Sequence, residues 1–152
     1  MAESEVLHAE HRLEYPYARS TGPIIGAFLT ALREGRFVGA TGSEGRVIVP
    51  PTEYDPITGE DVGALVEVGP GGVVDSWAWV AEPRRRHPLT TPFAWALITL
   101  DGADTGLLHV VDAPGPEALA TGARVTPRFK PEAERIGSMS DIEAFVLEGG
   151  AA

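Results

Sequence analysis

Beyond Gly59 the apolar residues of this chain come in short runs, each closed by glycine, proline or a polar turn. No segment there repeats apolar residues at 3.6-residue spacing for long enough to form a crossover helix. The runs are 64–68, 73–81, 93–100, 107–111 and 123–131, the last interrupted by Pro127. Within 73–81, Val74, Ser76, Ala78 and Val80 alternate with Val73, Asp75, Trp77, Trp79 and Ala81, so both faces carry apolar groups, as barrel strands do. Five such strands without a helical crossover argue against a doubly wound parallel sheet and for a small closed Greek-key barrel. Residues 142–147 read as a last short strand or a terminal strap.

The first part of the chain has a different pattern. Residues 1–20 are polar and aperiodic and end in Tyr15, Pro16 and Tyr17, which predicts an extended arm whose aromatics pack on a neighbouring surface. From Thr21, a candidate cap, the apolar residues Ile24, Ile25, Phe28, Leu29 and Leu32 recur at three- and four-residue spacing with Pro23 in the first turn. The predicted helix is too short to be stable alone, so its stripe must lie on something else. Two short runs, 37–40 and 46–49, flank the turn-forming 41–45 stretch. Pro50 and Pro51 end the hairpin, and residues 54–59 make a second turn. The expected organisation is an arm at 1–20, a helix at 21–36, a hairpin unit at 37–60, a barrel at 61–131 and a strap at 132–152.

Composition removes several kinds of chemistry. Without cysteine the chain can form no disulfide, thiol nucleophile or cysteine-ligated metal centre. A net charge of -10 opposes both the phosphate backbone of nucleic acid and an anionic membrane surface. The opening residues lack the basic start and apolar core of a signal peptide, and no apolar stretch reaches membrane-spanning length. A cytoplasmic protein with no membrane and no nucleic-acid partner is expected. A barrel can still carry a local basic strip, so single-strand binding stays as an alternative.

Few side chains invite a chemical role. His8 and His11 lie in the arm, where a metal would need further rigid ligands. His109 sits inside an apolar strand and reads as a hydrogen-bonded barrel residue. Gly69, Gly71 and Gly72 flank Pro70 with no following Lys-Ser/Thr and no helix, so they form a turn rather than a phosphate loop. Arg84, Arg85 and Arg86 are the one concentration of positive charge and fall between two predicted strands. Solvated side chains are the bland reading; the functional one is contact with an acidic partner or with coenzyme-A phosphates. No acid/base pair or nucleophile triad stands out, which argues against an independent enzyme.

The order of helix, paired turns, Pro-Pro and barrel resembles the acyl-CoA-associated family called domain of unknown function 35, a rubredoxin-like zinc ribbon followed by an OB-fold. The carriers are Phe28, Leu29, Leu32, Gly35 and Phe37 in and after the helix, then Gly45, Arg46, Val47, Pro50 and Pro51. Pro56, Gly59, the 71–80 stretch, the 92–102 stretch, Gly122 and Val125 complete them. The family's zinc cysteines would fall at Thr41, Glu44, Asp55 and Thr58, none of which is cysteine. The expected fold is therefore mainly β: a helix, a degenerate metal-free ribbon and a five-stranded OB-fold barrel.

The resemblance implies an accessory subunit in a hetero-oligomer with a thiolase-like or aldolase enzyme, including those that shorten steroid side chains. Catalytic residues and acyl-CoA substrate would belong to that partner. This chain would bind no cofactor of its own and carry no catalytic residue. Tyr15, Tyr17, Phe28, Trp77 and Trp79 are the expected interface, since aromatics are enriched at interface cores. A stand-alone acyl-CoA-binding module, with Arg84, Arg85 and Arg86 on the phosphates, is the alternative.

Overall fold

The computed structural model describes residues 8–149. Residues 8–22 have no regular structure, and the helix α1 follows as Pro23–Arg33. Its cap is not Thr21. Gly22 holds the N-cap position without a side-chain bond, and the Glu53 carboxylate, arriving from a later loop, accepts the N–H groups of Ile24 (3.3 Å) and Ile25 (2.9 Å). An acid at a helix N-terminus satisfies otherwise unpaired donors and complements the helix dipole. A side chain at Gly22 would collide with Glu53, its Cβ falling 2.3 Å from that carboxylate. At the other end Gly35 adopts φ 75°, and Arg36 N–H donates to Ala31 oxygen and Gly35 N–H to Leu32 oxygen, a Schellman closure.

Strands β1 (Phe37–Thr41), β2 (Val47–Ile48) and β3 (Leu65–Val68) form a small antiparallel sheet in the order β2-β1-β3. Placing 64–68 in the barrel is therefore corrected. Phe37 pairs with Val68 and Ala40 with Leu65, so β3 completes the hairpin unit. The unit is tied to the barrel through Val47 N–H to Asp104 Oδ2 (2.8 Å) and Val49 N–H to Thr105 Oγ1 (2.7 Å).

The barrel comprises β4 (Gly72–Val80), β5 (Phe93–Leu100), β6 (Gly106–Asp112), β7 (Arg124–Phe129) and β8 (Ile142–Leu147), closed in the order β4-β5-β6-β8-β7. All pairings are antiparallel except β6 with β8, where Val111 faces Phe145. This is the five-stranded OB-fold order. The fifth strand is thus β8, in place of 64–68, and 142–147 is a staple of the barrel rather than a strap. It lies between β6 and β7 and supplies Phe145 to the centre of the core.

A bulge at Asp75 corrects the expected facing of β4. Register shifts between Val74 and Ser76, so Trp77 and Trp79 pack on the same core as Val74, while Ser76 and Ala78 are exposed. One extra residue reverses the in/out alternation for the rest of the strand. The main core is continuous across both units: Phe28 and Leu32 from α1 and Phe37 from β1 meet Ile98, Leu107 and Phe145. Phe37 lies 5.4 Å from Phe129 and 6.1 Å from Phe145 between ring centroids. The short helix is stable because its stripe covers this core.

Candidate functional site

The turns expected at the family's zinc positions come first. Thr41, Asp55 and Thr58 line one shallow pocket of about 310 Å³; Glu44 is exposed outside it. Asp55 is buried, and its carboxylate accepts the N–H groups of Ser43, Ile57 (2.7 Å) and Thr58 (3.2 Å). Thr41 donates its hydroxyl to the Ala64 carbonyl at 3.0 Å. The N–H bond from Ser43, then that from Ile57, pull the Asp55 pKa down to about 2 against the opposing effect of burial. This donor set does not fit zinc: the one central carboxylate is committed to backbone donors, and threonine hydroxyls are poor ligands. Among the described residues no group of three or more His, Asp or Glu side chains is placed to hold a metal. Gly42 is required beside Asp55, since a Cβ there would fall 2.5 Å from Oδ2.

The Arg84–Arg86 loop is a closed turn. Arg84 N–H donates to His87 Nδ1 (3.1 Å), His87 N–H donates to Arg84 oxygen (2.8 Å), and the His87 ring stands edge-on to Phe93. All three arginines are exposed, and none joins an ion pair among the described residues. His87 and Leu89 thus pin the loop to the outside of the barrel, where Leu89, Val80 and Trp95 pack over Phe93, Val110 and Ala144.

The predicted interface aromatics separate into three groups. Tyr15 and Tyr17 stand 78% and 84% exposed on the arm beside the exposed Leu13. Trp77 and Trp79 are half-buried against the core. Phe28 is corrected: at 2% exposure it belongs to the main core and has no surface to offer. His8 and His11 are exposed in the arm.

Sequence reasoning missed a cleft of about 550 Å³ on the outer side of the barrel. Pro88 and Leu89 form one wall from the β4–β5 loop, and Trp95, Leu108 and His109 form the floor. Lys130, Met139 and Ser140 from the β7–β8 segment, with Ile142 and Glu143, close the far side. His109 Nε2 lies 3.3 Å from the Met139 carbonyl oxygen, a bond that places the proton on Nε2 and leaves the buried Nδ1 without a partner among the described residues. Burial pushes this imidazole's pKa down despite the raising effect of the Met139 carbonyl. The signal for the cleft was 142–147: taken as a barrel strand, it brings the preceding segment against β5 and β6, the face that OB-folds use for ligands.

A closed five-stranded barrel with a helix and a three-stranded sheet on its N-terminal side defines the class, an OB-fold protein. The family model for the C-terminal OB-fold domain of ChsH2 matches residues 65–130. The chain thus carries an OB-fold barrel, and residues 65–130 are similar to that domain. A DUF35-family protein of unknown function from Sulfolobus solfataricus superposes with TM-score 0.60 at 21% identity, covering 84% of this chain and 85% of that one. The Ltp2-ChsH2(DUF35) aldolase structure gives TM-score 0.59 at 19% identity, covering 86% of this chain and 97% of its own. No curated protein matches the chain.

Proposed function

We propose that this chain is a non-catalytic accessory subunit that binds and stabilises a thiolase-like acyl-CoA enzyme, a thiolase or a retro-aldolase of the kind that acts on steroid side chains, in the cytoplasm. The observation that carries the reading is the likeness over 97% of the length of the chain in the Ltp2-ChsH2(DUF35) aldolase structure. The arm supports it: Leu13, Tyr15 and Tyr17 stand at every second position of an irregular segment and are covered by nothing within the described residues. Three large apolar groups held in water are the composition of a docking segment. Tagged co-expression with a thiolase-like protein encoded nearby, followed by pull-down and light scattering, tests it. Co-elution in a fixed ratio is expected; a stable monomer that ignores the enzyme would sink the reading.

A second reading rests on the three exposed arginines of the β4–β5 loop, which join no ion pair among the described residues. They suit the phosphates of coenzyme A, and the chain would then bind an acyl-CoA by itself. Calorimetric titration of the isolated chain with coenzyme A separates the two, since only the module predicts binding without a partner.

A further inference from the structure

We propose, resting on the accessory-subunit reading, that the arm docks by becoming a β-strand. Residues 13–17 would pair with an open sheet edge of the partner enzyme through the backbone of Leu13, Tyr15 and Tyr17. Those three side chains are 66%, 78% and 84% exposed, and the positions that alternate with them hold Arg12, Glu14 and Pro16. Arg12 and Glu14 form an ion pair, so side chains two residues apart already share one side of the arm.

The spacing decides the bound conformation. Residues two apart do not share a helix face, and Pro16 would break a helix at this point. Only extended backbone presents Leu13, Tyr15 and Tyr17 to one surface and leaves the charged Arg12 and Glu14 in water.

An extended segment has two backbone edges, which differ here. Leu13, Tyr15 and Tyr17 place a complete set of N–H and C=O groups on one of them. The other carries those of Glu14 and Pro16, and Pro16 has no N–H to give. The arm can therefore extend a sheet from one edge only, and its own outer edge is blunted against further pairing. From Leu13 to Tyr17 the backbone makes no hydrogen bond within the described residues, so water satisfies it in the free chain. Burying the three side chains displaces that water, and the backbone groups between them then need partners. A bare apolar groove would cover the side chains and leave those groups unpaired. An open strand edge with an apolar face beside it satisfies both, which is the chemistry of strand addition.

The test uses the co-purified complex of the full chain with the thiolase-like enzyme. Hydrogen exchange read residue by residue should show the amides of Leu13, Tyr15 and Tyr17 slowed about tenfold or more on binding, and those of Arg12 and Glu14 little changed. Tyr15→Pro should bind about tenfold more weakly than Tyr15→Ala, the effect of one lost buried hydrogen bond. Glu14→Pro, on the edge that already holds a proline, should bind as the native chain does. All three variants should keep the native urea midpoint, since the arm's backbone is unpaired in the free chain. Unchanged exchange along the arm, protection without alternation, or a Glu14→Pro variant as weak as Tyr15→Pro would each overturn the proposal and leave the accessory-subunit reading standing. A native chain that does not co-elute with the enzyme would overturn both.

Discussion

The Asp55 carboxylate accepts the backbone N–H of Ser43, twelve residues away, and so joins the two turns of the hairpin unit. Its second oxygen receives Ile57 and Thr58 from the opposite turn. A structural zinc site contributes on the order of 10 kcal/mol to folding. Here a fixed negative charge gathers backbone donors from both turns, and the core shared with the barrel holds the unit in place.

Asp55→Ala should open this unit: amide exchange at Ser43, Ile57 and Thr58 should rise, while β5 and β6 stay protected. Asp55→Asn should fall between, because its amide keeps one acceptor oxygen. Prolonged chelation should leave the melting temperature of the native protein unchanged. Equal protection in all three proteins would show that the carboxylate is incidental.

The same group gives a pH dependence whose sign is fixed. The folded-state pKa lies at about 2, below the ordinary 3.8, so the unfolded chain takes up its proton first as pH falls. The Asp55 contribution is complete above about pH 4 and is lost between there and about pH 2. Comparing acid unfolding of the native chain with Asp55→Asn isolates it: the two curves should converge as pH falls through that window.

Phe28 and Tyr15 should behave oppositely. Phe28→Ala removes a fully packed ring from beneath α1 and should cost about 3–5 kcal/mol by urea unfolding. Tyr15→Ala, on the exposed arm, should leave stability within about 0.5 kcal/mol and weaken co-elution with the partner enzyme.

Glu53→Ala should destabilise the chain by about 1 kcal/mol, the usual cost of losing an N-terminal cap, and Glu53→Gln by less. The urea midpoint is the measurement, with helix content at 222 nm as a second readout. An unchanged midpoint would mean that solvent caps α1 as well as Glu53 does.

Replacing Arg84, Arg85 and Arg86 by Gln should leave stability unaltered, since none of the three is paired among the described residues. In a complex with the partner enzyme it should raise KM for an acyl-CoA at low salt, with the difference fading as salt screens the charges. An unchanged KM would remove the loop from any steering role.

The sequence by itself determined the class of fold and most of its pieces. The spacing of Phe28, Leu29 and Leu32 marked the helix, the breakers around short apolar runs marked the strands, and the lack of cysteine ruled out cysteine-ligated zinc. These are local properties, set by side-chain period, backbone restriction and ligand chemistry. Only the tertiary structure decided which strand closes the barrel: 65–68 and 142–147 have similar composition, and the choice depends on pairing between distant edges. It also decided that Glu53 rather than Thr21 caps α1, that the Asp75 bulge turns Trp77 and Trp79 onto the core, and that Phe28 lies inside. The cleft was equally illegible, because it is built from two loops and three strands whose proximity follows from barrel closure. Neighbourhoods made by long-range pairing have no local period, whereas the arm aromatics and the Arg84–Arg86 run stand together in the chain itself.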